Sequence, residues 1–205
     1  MPEFAELVAG YHRFRDAGWE QQRSRWTDLS QGQSPAVMII GCCDSRVDPA
    51  MVFDTVPGQV FSLRNVANLV PPFETGGGLH GASAAIEFGV LGLEVKHIVV
   101  LGHAKCGGIR AALSGEAGNF GHGFVNEWMK IIDEAKARVT SCHHADPQEA
   151  LELEGIRTSI ANLRTFPFVA EAEAAGTLKI HGAYFGIEDG MLHVLDQATG
   201  EFVAS

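Results

Sequence analysis

Apolar and polar positions fall in blocks along this chain, and the blocks predict a layered α/β protein. Residues 37–40 (VMII) form a short unbroken apolar run, β-branched at three of four positions. Such a run suits a strand buried on both faces of a parallel sheet, and Gly41 is expected to end it. Residues 97–102 (HIVVLG) repeat the pattern, and 59–63 (QVFSL) predict a further short strand. Residues 177–187 and 191–195 read as two more, joined by a tight turn at Glu188-Asp189-Gly190. The intervening segments are helical in pattern. They are 47–53, opened by Asp48-Pro49 as an N-cap and first-turn proline, then 80–93, small and apolar and so a buried helix. Residues 107–113 follow Cys106 directly, 122–139 and 147–163 are amphipathic, and 166–175 continues as helix. Within residues 1–26, Phe4, Leu7, Val8, Tyr11 and Phe14 recur at three- and four-residue steps as one apolar stripe, interrupted at Gly18. That stripe packs either on its own domain or on a partner subunit. The expected fold is α/β: a mostly parallel central sheet with an antiparallel edge strand, flanked by helices. Residues 1–35 are the helical N-terminal arm, and residues 36–205 the α/β domain.

Charge and cysteine usage narrow the function. A net charge of −10 over 205 residues argues against binding nucleic acid through its phosphates and against docking on anionic lipid. No run approaches the roughly 20 apolar residues of a membrane span, and no signal peptide is visible. Four cysteines (Cys42, Cys43, Cys106, Cys142) in a chain this long point to reduced thiols in the cytoplasm, used for metal or catalysis. The glycine run at 75–78 (TGGG) lacks the Gly-Lys-Ser/Thr ending of a phosphate-binding loop.

The candidate chemistry stands at the ends of the two most apolar strands. Cys42, Cys43, Asp44, Ser45 and Arg46 follow the first, and His103, Ala104, Lys105 and Cys106 follow the second. Open α/β sheets bind ligands at that carboxyl edge. Cys42, His103 and Cys106 supply two thiolates and an imidazole, a soft donor set that suits zinc with a fourth position left for water or a nearby carboxylate. Cys106 stands at a helix start, which favours the thiolate.

Cys42-Cys43-Asp44-Ser45-Arg46, Arg64-Asn65-Val66-Ala67-Asn68 and Gly102-His103-Ala104-Lys105-Cys106-Gly107-Gly108 resemble the signature segments of the β-class carbonic anhydrases. The similarity runs in order from about residue 36 to residue 195. It implies a zinc lyase, carbonate dehydratase, that interconverts CO₂ and bicarbonate through zinc-bound hydroxide, with one Zn²⁺ per subunit. It further implies Cys42, His103 and Cys106 as zinc ligands, Asp44 and Arg46 as a catalytic dyad, and a homodimer or dimer of dimers. Asp44 has two possible roles: to accept the hydrogen of the reacting hydroxide while paired with Arg46, or to ligate zinc itself and close the site. Because two thiolates donate more charge than imidazoles, turnover is expected to climb toward alkaline pH. Related architectures hydrolyse carbonyl sulfide or carbon disulfide, and a non-catalytic zinc-stabilised binding module is the remaining alternative.

Two departures from the family's subclasses stand out. Members with a bicarbonate-operated closing site carry Trp where this chain has Ile39, and plant-type members carry Gln where it has Val56. Phe61, Val66, Leu69 and Tyr184 line an apolar CO₂ pocket or belong to the core, and Gly107 is a further substrate-site candidate. Cys43 reads as structural, pointing away from its neighbour. Cys142-His143-His144 reads as a solvated loop, and Arg64 as a residue that holds the loop rather than substrate. His80 and His122 are possible proton carriers.

Overall fold

The computed structural model describes residues 3–76 and 78–205. The parts of the arm and glycine-run expectations that fall on Met1, Pro2 and Gly77 lie outside the described residues. Contacts divide the chain into two compact units, Met1–Ser34 and Pro35–Ser205.

The first unit is helical. Helix α1 (Phe4–Arg13) runs without interruption into a π-helical stretch, Phe14–Trp19, and α2 (Arg23–Leu29) follows. Gly18 does not break the helix as expected: the ring of Phe14 lies over it, 3.2 Å from where a Cβ would stand. The helical run is interrupted at Gln22, whose backbone angles (φ −112, ψ 20) lie outside the helical region. The stripe of Phe4, Leu7, Tyr11 and Phe14 is exposed.

The second unit is built on a six-stranded sheet of order β2-β1-β3-β4-β5-β6. The strands are β1 (Val37–Cys42), β2 (Val60–Asn65), β3 (His97–His103), β4 (Lys179–Phe185), β5 (Leu192–Leu195) and β6 (Phe202–Ala204). The first four pair in parallel, and β5 and β6 add antiparallel at one edge. The fold is therefore the expected mixed sheet, with two antiparallel edge strands rather than one. β6 escaped the pattern because three half-exposed residues carry almost no periodicity. β1 and β3 also run further than expected. Gly41 stays in the ladder opposite Arg64 and Leu101, so Cys42 and His103 are the last residues of their strands rather than the first of a loop.

Around the sheet lie α3 (Pro49–Val52), α4 (Gly81–Glu87), α5 (Gly107–Ser114), α6 (Phe124–Met129), α7 (Asp133–Ser141), α8 (Pro147–Leu163) and α9 (Pro167–Ala174). Asp48 and Asp146 each cap a helix whose first residue is proline, so α3 and α8 begin where the sequence signals them. The expected 47–53 helix shortens to a single turn. The expected 122–139 helix is broken by a 3-10 turn at Lys130–Ile132. The expected buried helix at 80–93 is α4 followed by a π-helical turn, Phe88–Gly92. Its Ile86 and Val90 are buried, but Phe88 and Leu91 face outward. One sheet face packs Met38, Ile40, Ile98, Val100 and Ile180 against α4, α8 and α9. A separate core of small and aliphatic side chains around Leu69, Ile109, Met129 and Leu151 gathers at the carboxyl end of the strands, beside Cys42 and Cys106. No helix among the described residues is long and apolar enough to cross a membrane.

Candidate metal centre

β1 and β3 are neighbours in register, so their carboxyl ends arrive side by side. Cys42 closes β1, His103 closes β3, and Cys106 caps α5 after a tight turn whose Lys105 takes a left-handed backbone (φ 58). The ligating atoms of Cys42, His103 and Cys106 all lie within 4.8 Å of one another, and all three residues are buried. His103 Nδ1 lies 2.9 Å from the carbonyl oxygen of Ala104 and donates to it, which leaves the Nε2 lone pair free. That Nε2 is buried and has no hydrogen-bond partner. An orphaned imidazole nitrogen facing two buried thiols is what a zinc ion would satisfy, so the donor set fits the metal.

The contact with Cys106 lowers the Cys42 thiol, and the same contact, with burial, raises the Cys106 thiol. A bound divalent cation would favour both groups as thiolates.

Two glycines permit this approach. A Cβ on Gly102 would stand 2.6 Å from Cδ1 of Ile156 on α8. One on Gly108 would stand 2.9 Å from Val66 Cγ1. Either side chain would push β3 away from α8, or α5 away from the 66–68 turn, and with it a residue of the cluster.

Asp44 lies at the mouth of the three-ligand set, its Oδ2 3.9 Å from His103 Nε2. Arg46 Nε donates to Oδ1 at 2.9 Å and Nη2 to Oδ2 at 2.6 Å, and this bidentate partner holds the Asp44 carboxyl well below the usual carboxylate range. Behind them Arg64 is fully committed to the backbone and to Asp48. Its Nε donates to the Cys42 carbonyl at 2.9 Å, Nη2 to the Asp44 carbonyl at 2.8 Å and Nη1 to Asp48 Oδ2 at 2.7 Å. Arg64 thus holds the loop. In the next segment Ala67 and Asn68 are held in left-handed backbone, and the Asn65 side chain bridges across to Leu69.

Other expected site residues are placed less centrally. Gly107 opens α5 next to Cys106, and Val66 lies against Gly108. Phe61 does not come to the metal edge of its own chain. It pairs in register with Met38, four positions down the strand from the Asn65–Cys42 level, and its ring packs on Phe88. Cys43, expected to be structural, is exposed and lines a groove with Val66 and Trp128. Cys142 is exposed, and among the described residues the only metal-spaced cluster is that of Cys42, His103 and Cys106.

Sequence patterns missed Glu152. It is buried on α8 and accepts from the Cys106 backbone N–H, Gln148 and the Tyr184 hydroxyl. Burial pushes its carboxyl up. Tyr184, an apolar-pocket candidate by pattern, spends its hydroxyl on this contact. The one available signal was a glutamate at an inward position of an amphipathic helix, and the partners that decide its role are distant in sequence.

The comparisons agree with this geometry. The carbonic anhydrase family model matches residues 37–192. A carbonic anhydrase of Synechocystis sp. is 31% identical over 202 residues, covering 97% of this chain and 73% of that protein. A chloroplastic β-carbonic anhydrase of Arabidopsis thaliana is 34% identical over 190 residues; the match covers 91% of this chain but spans only 62% of the plant protein. Among solved structures, the β-carbonic anhydrase CcaA superposes with a TM-score of 0.91 at 31% identity, covering 98% of this chain and 91% of that one. One of two tetrameric β-carbonic anhydrases from Sordaria macrospora superposes with a TM-score of 0.80 at 28% identity, covering 94% and 96%. The chain belongs to the β-carbonic anhydrase family, the lyases that interconvert carbon dioxide and bicarbonate.

Proposed function

We propose that this chain hydrates CO₂ reversibly at a single zinc ion held by Cys42, His103 and Cys106, with Asp44 and Arg46 as the working pair beside it. The observation that carries the reading is the buried, unpartnered Nε2 of His103 facing two thiols, with a charged carboxylate at the mouth of the cluster. When bound, zinc supplies Lewis acidity, making a hydroxide nucleophile available from water near neutral pH.

The protein's residues do the orienting. Arg46 occupies both oxygens of Asp44, so the carboxylate stays ionised and can only accept hydrogen bonds. Asp44 Oδ2 accepts the hydrogen of the reacting oxygen, which turns that oxygen's lone pair toward the carbon of CO₂. The overall change is CO₂ and water to bicarbonate and a proton. The same pairing supports the dyad role over direct ligation by Asp44, because a ligating carboxylate would have to give up Arg46.

The working unit is a homodimer or dimer of dimers. The exposed apolar stripe of the arm (residues 1–35) suits a second copy, as do the exposed Leu79, Phe88 and Phe124. The Sordaria relatives, described as tetrameric, support the larger assembly. Exposed free Cys43 and Cys142 suit a reducing compartment such as the cytoplasm. The test is stopped-flow acidification of CO₂-saturated buffer by zinc-loaded protein, with carbonyl sulfide turnover in the same preparation. Rapid CO₂ hydration is expected. Stoichiometric zinc without acceleration would leave only a binding module, and preferential carbonyl sulfide turnover would reassign the substrate.

A further inference from the structure

A carboxylate that the proposed reaction does not use lies directly behind one of the proposed ligands. Glu152 sits inside the second unit with 4% of its surface exposed. A carboxylate at that depth is costly unless its oxygens are met by donors. Three donors meet them. Oε1 accepts from the backbone N–H of Cys106 at 2.8 Å and from Gln148 Nε2 at 2.9 Å, and Oε2 accepts from the Tyr184 hydroxyl at 2.8 Å. The donors come from three places: the cap of α5, the preceding turn of α8, and β4.

The contact with Cys106 differs from an ordinary helix-end bond. It crosses 46 positions of sequence and ties the capping residue of α5 to the middle of α8. Cys106 carries its sulfur one bond beyond Cβ, so fixing its amide restricts where the thiol can swing. The same helix supports the imidazole. Ile156, one turn further along α8, is the side chain that packs against Gly102, the residue before His103. α8 therefore braces two of the three ligands from one side, through a polar contact at Glu152 and an apolar one at Ile156. A cavity of about 240 Å³ is lined in part by Lys105, Gln148, Glu152, Tyr184 and His193.

We propose that Glu152 is a positioning residue for the metal ligand Cys106, with Tyr184 and Gln148 holding its carboxylate in turn. The inference rests on the reading that Cys42, His103 and Cys106 hold zinc. It adds that the tightness of the site and the donor geometry at Cys106 are set from α8, by a residue that touches neither metal nor substrate. Outer contacts of this kind orient ligands and tune metal affinity.

The experiment compares the full-length parent with Glu152→Ala, Glu152→Gln and Tyr184→Phe. It reads zinc release to a chromophoric chelator, the thiolate-to-metal charge-transfer band of the cobalt-exchanged proteins, and the thermal midpoint. Glu152→Ala is expected to release zinc about 10- to 100-fold faster, the usual scale for lost outer-shell contacts, and to alter the charge-transfer band. Glu152→Gln keeps an oxygen for the Cys106 amide and should stay closer to the parent. Tyr184→Phe frees one oxygen of Glu152 and should move both readouts in the direction of the alanine variant, by less. If Glu152→Ala does not fold, Tyr184→Phe decides. Parental release and a superimposable band in the deciding variant overturn the proposal, even where the thermal midpoint falls, because a purely structural role moves only the midpoint. A parent that takes up no zinc would overturn the metal reading and this inference together. A parent that binds one zinc with unaltered variants would overturn this inference alone.

Discussion

Arg46 and Asp44 meet as a fork on a fork, with guanidinium Nε and Nη2 on the two carboxylate oxygens at 2.9 and 2.6 Å. The same Nη2 also donates to the Lys105 carbonyl at 3.0 Å, so the pair ties the loop after β1 to the turn between His103 and Cys106. One guanidinium nitrogen therefore both orients Asp44 and holds these two segments together.

Replacing Asp44 with Asn leaves the thiols and imidazole in place but takes away the charge that Arg46 faces. Zinc content should stay at the parental level while kcat/KM falls by about 10²-fold or more, the scale of a lost proton-orienting group. Metal analysis and stopped-flow hydration on one preparation check both halves.

Removing the metal should cost stability as well as activity. Cys42, His103 and Cys106 are all buried, so the emptied site would leave two close thiols and an unsatisfied imidazole inside the protein. Ligand linkage gives about 4 kcal/mol when free zinc stands at roughly 1,000 times its Kd. Calorimetry of chelator-stripped and reloaded protein should show a lower midpoint that zinc restores. Cys106→Ala should unfold at the stripped midpoint with zinc or without it.

Gly102→Ala should damage the site from behind. Its new methyl would stand 2.6 Å from Ile156 Cδ1 and 2.8 Å from Cγ1, in a core with no slack. Overpacking of this kind costs about 1–3 kcal/mol, and the displaced backbone carries His103. Ile156→Val removes the nearer atom and should recover part of the loss. Additive behaviour in the double variant, measured by denaturant unfolding, would contradict the contact.

One acid-sensitive contact lies far from the site. Arg164 donates from Nε and Nη2 to Glu173 Oε2 and Oε1 at 2.8 and 2.9 Å, and this contact holds the Glu173 carboxyl below its ordinary 4.5. Because the folded value is the lower one, the stabilisation is present above about pH 4.5 and is lost as pH falls through the folded value. The pair is partly exposed, so its worth is about 1 kcal/mol or less. Glu173→Gln should lower stability at pH 7 by that amount and make no difference in strong acid, as read by urea midpoints at both values.

Much of this protein was legible in its residues alone. The apolar runs before Cys42 and His103 marked two buried strands, because only a strand covered on both faces needs so few polar positions. Asp48-Pro49 marked the start of α3 because a capping carboxylate and a donor-less first residue both suit a helix end. The spacing of Cys42, His103 and Cys106 pointed to a zinc donor set, and the resemblance of the segments that carry them implied the reaction and the Asp44–Arg46 pair. Tertiary structure decided what sequence distance conceals. The ordering of β2, β1 and β3 set Cys42 and His103 side by side, and the packing of α8 placed Ile156 against Gly102 and Glu152 against the Cys106 amide. It also moved Phe61 down the strand from the metal edge and turned Phe88 and Leu91 outward. The reason is common to these cases. Periodicity and capping are properties of neighbours in the chain, whereas a buried carboxylate or a missing Cβ takes its meaning from atoms that only the folded packing brings within contact.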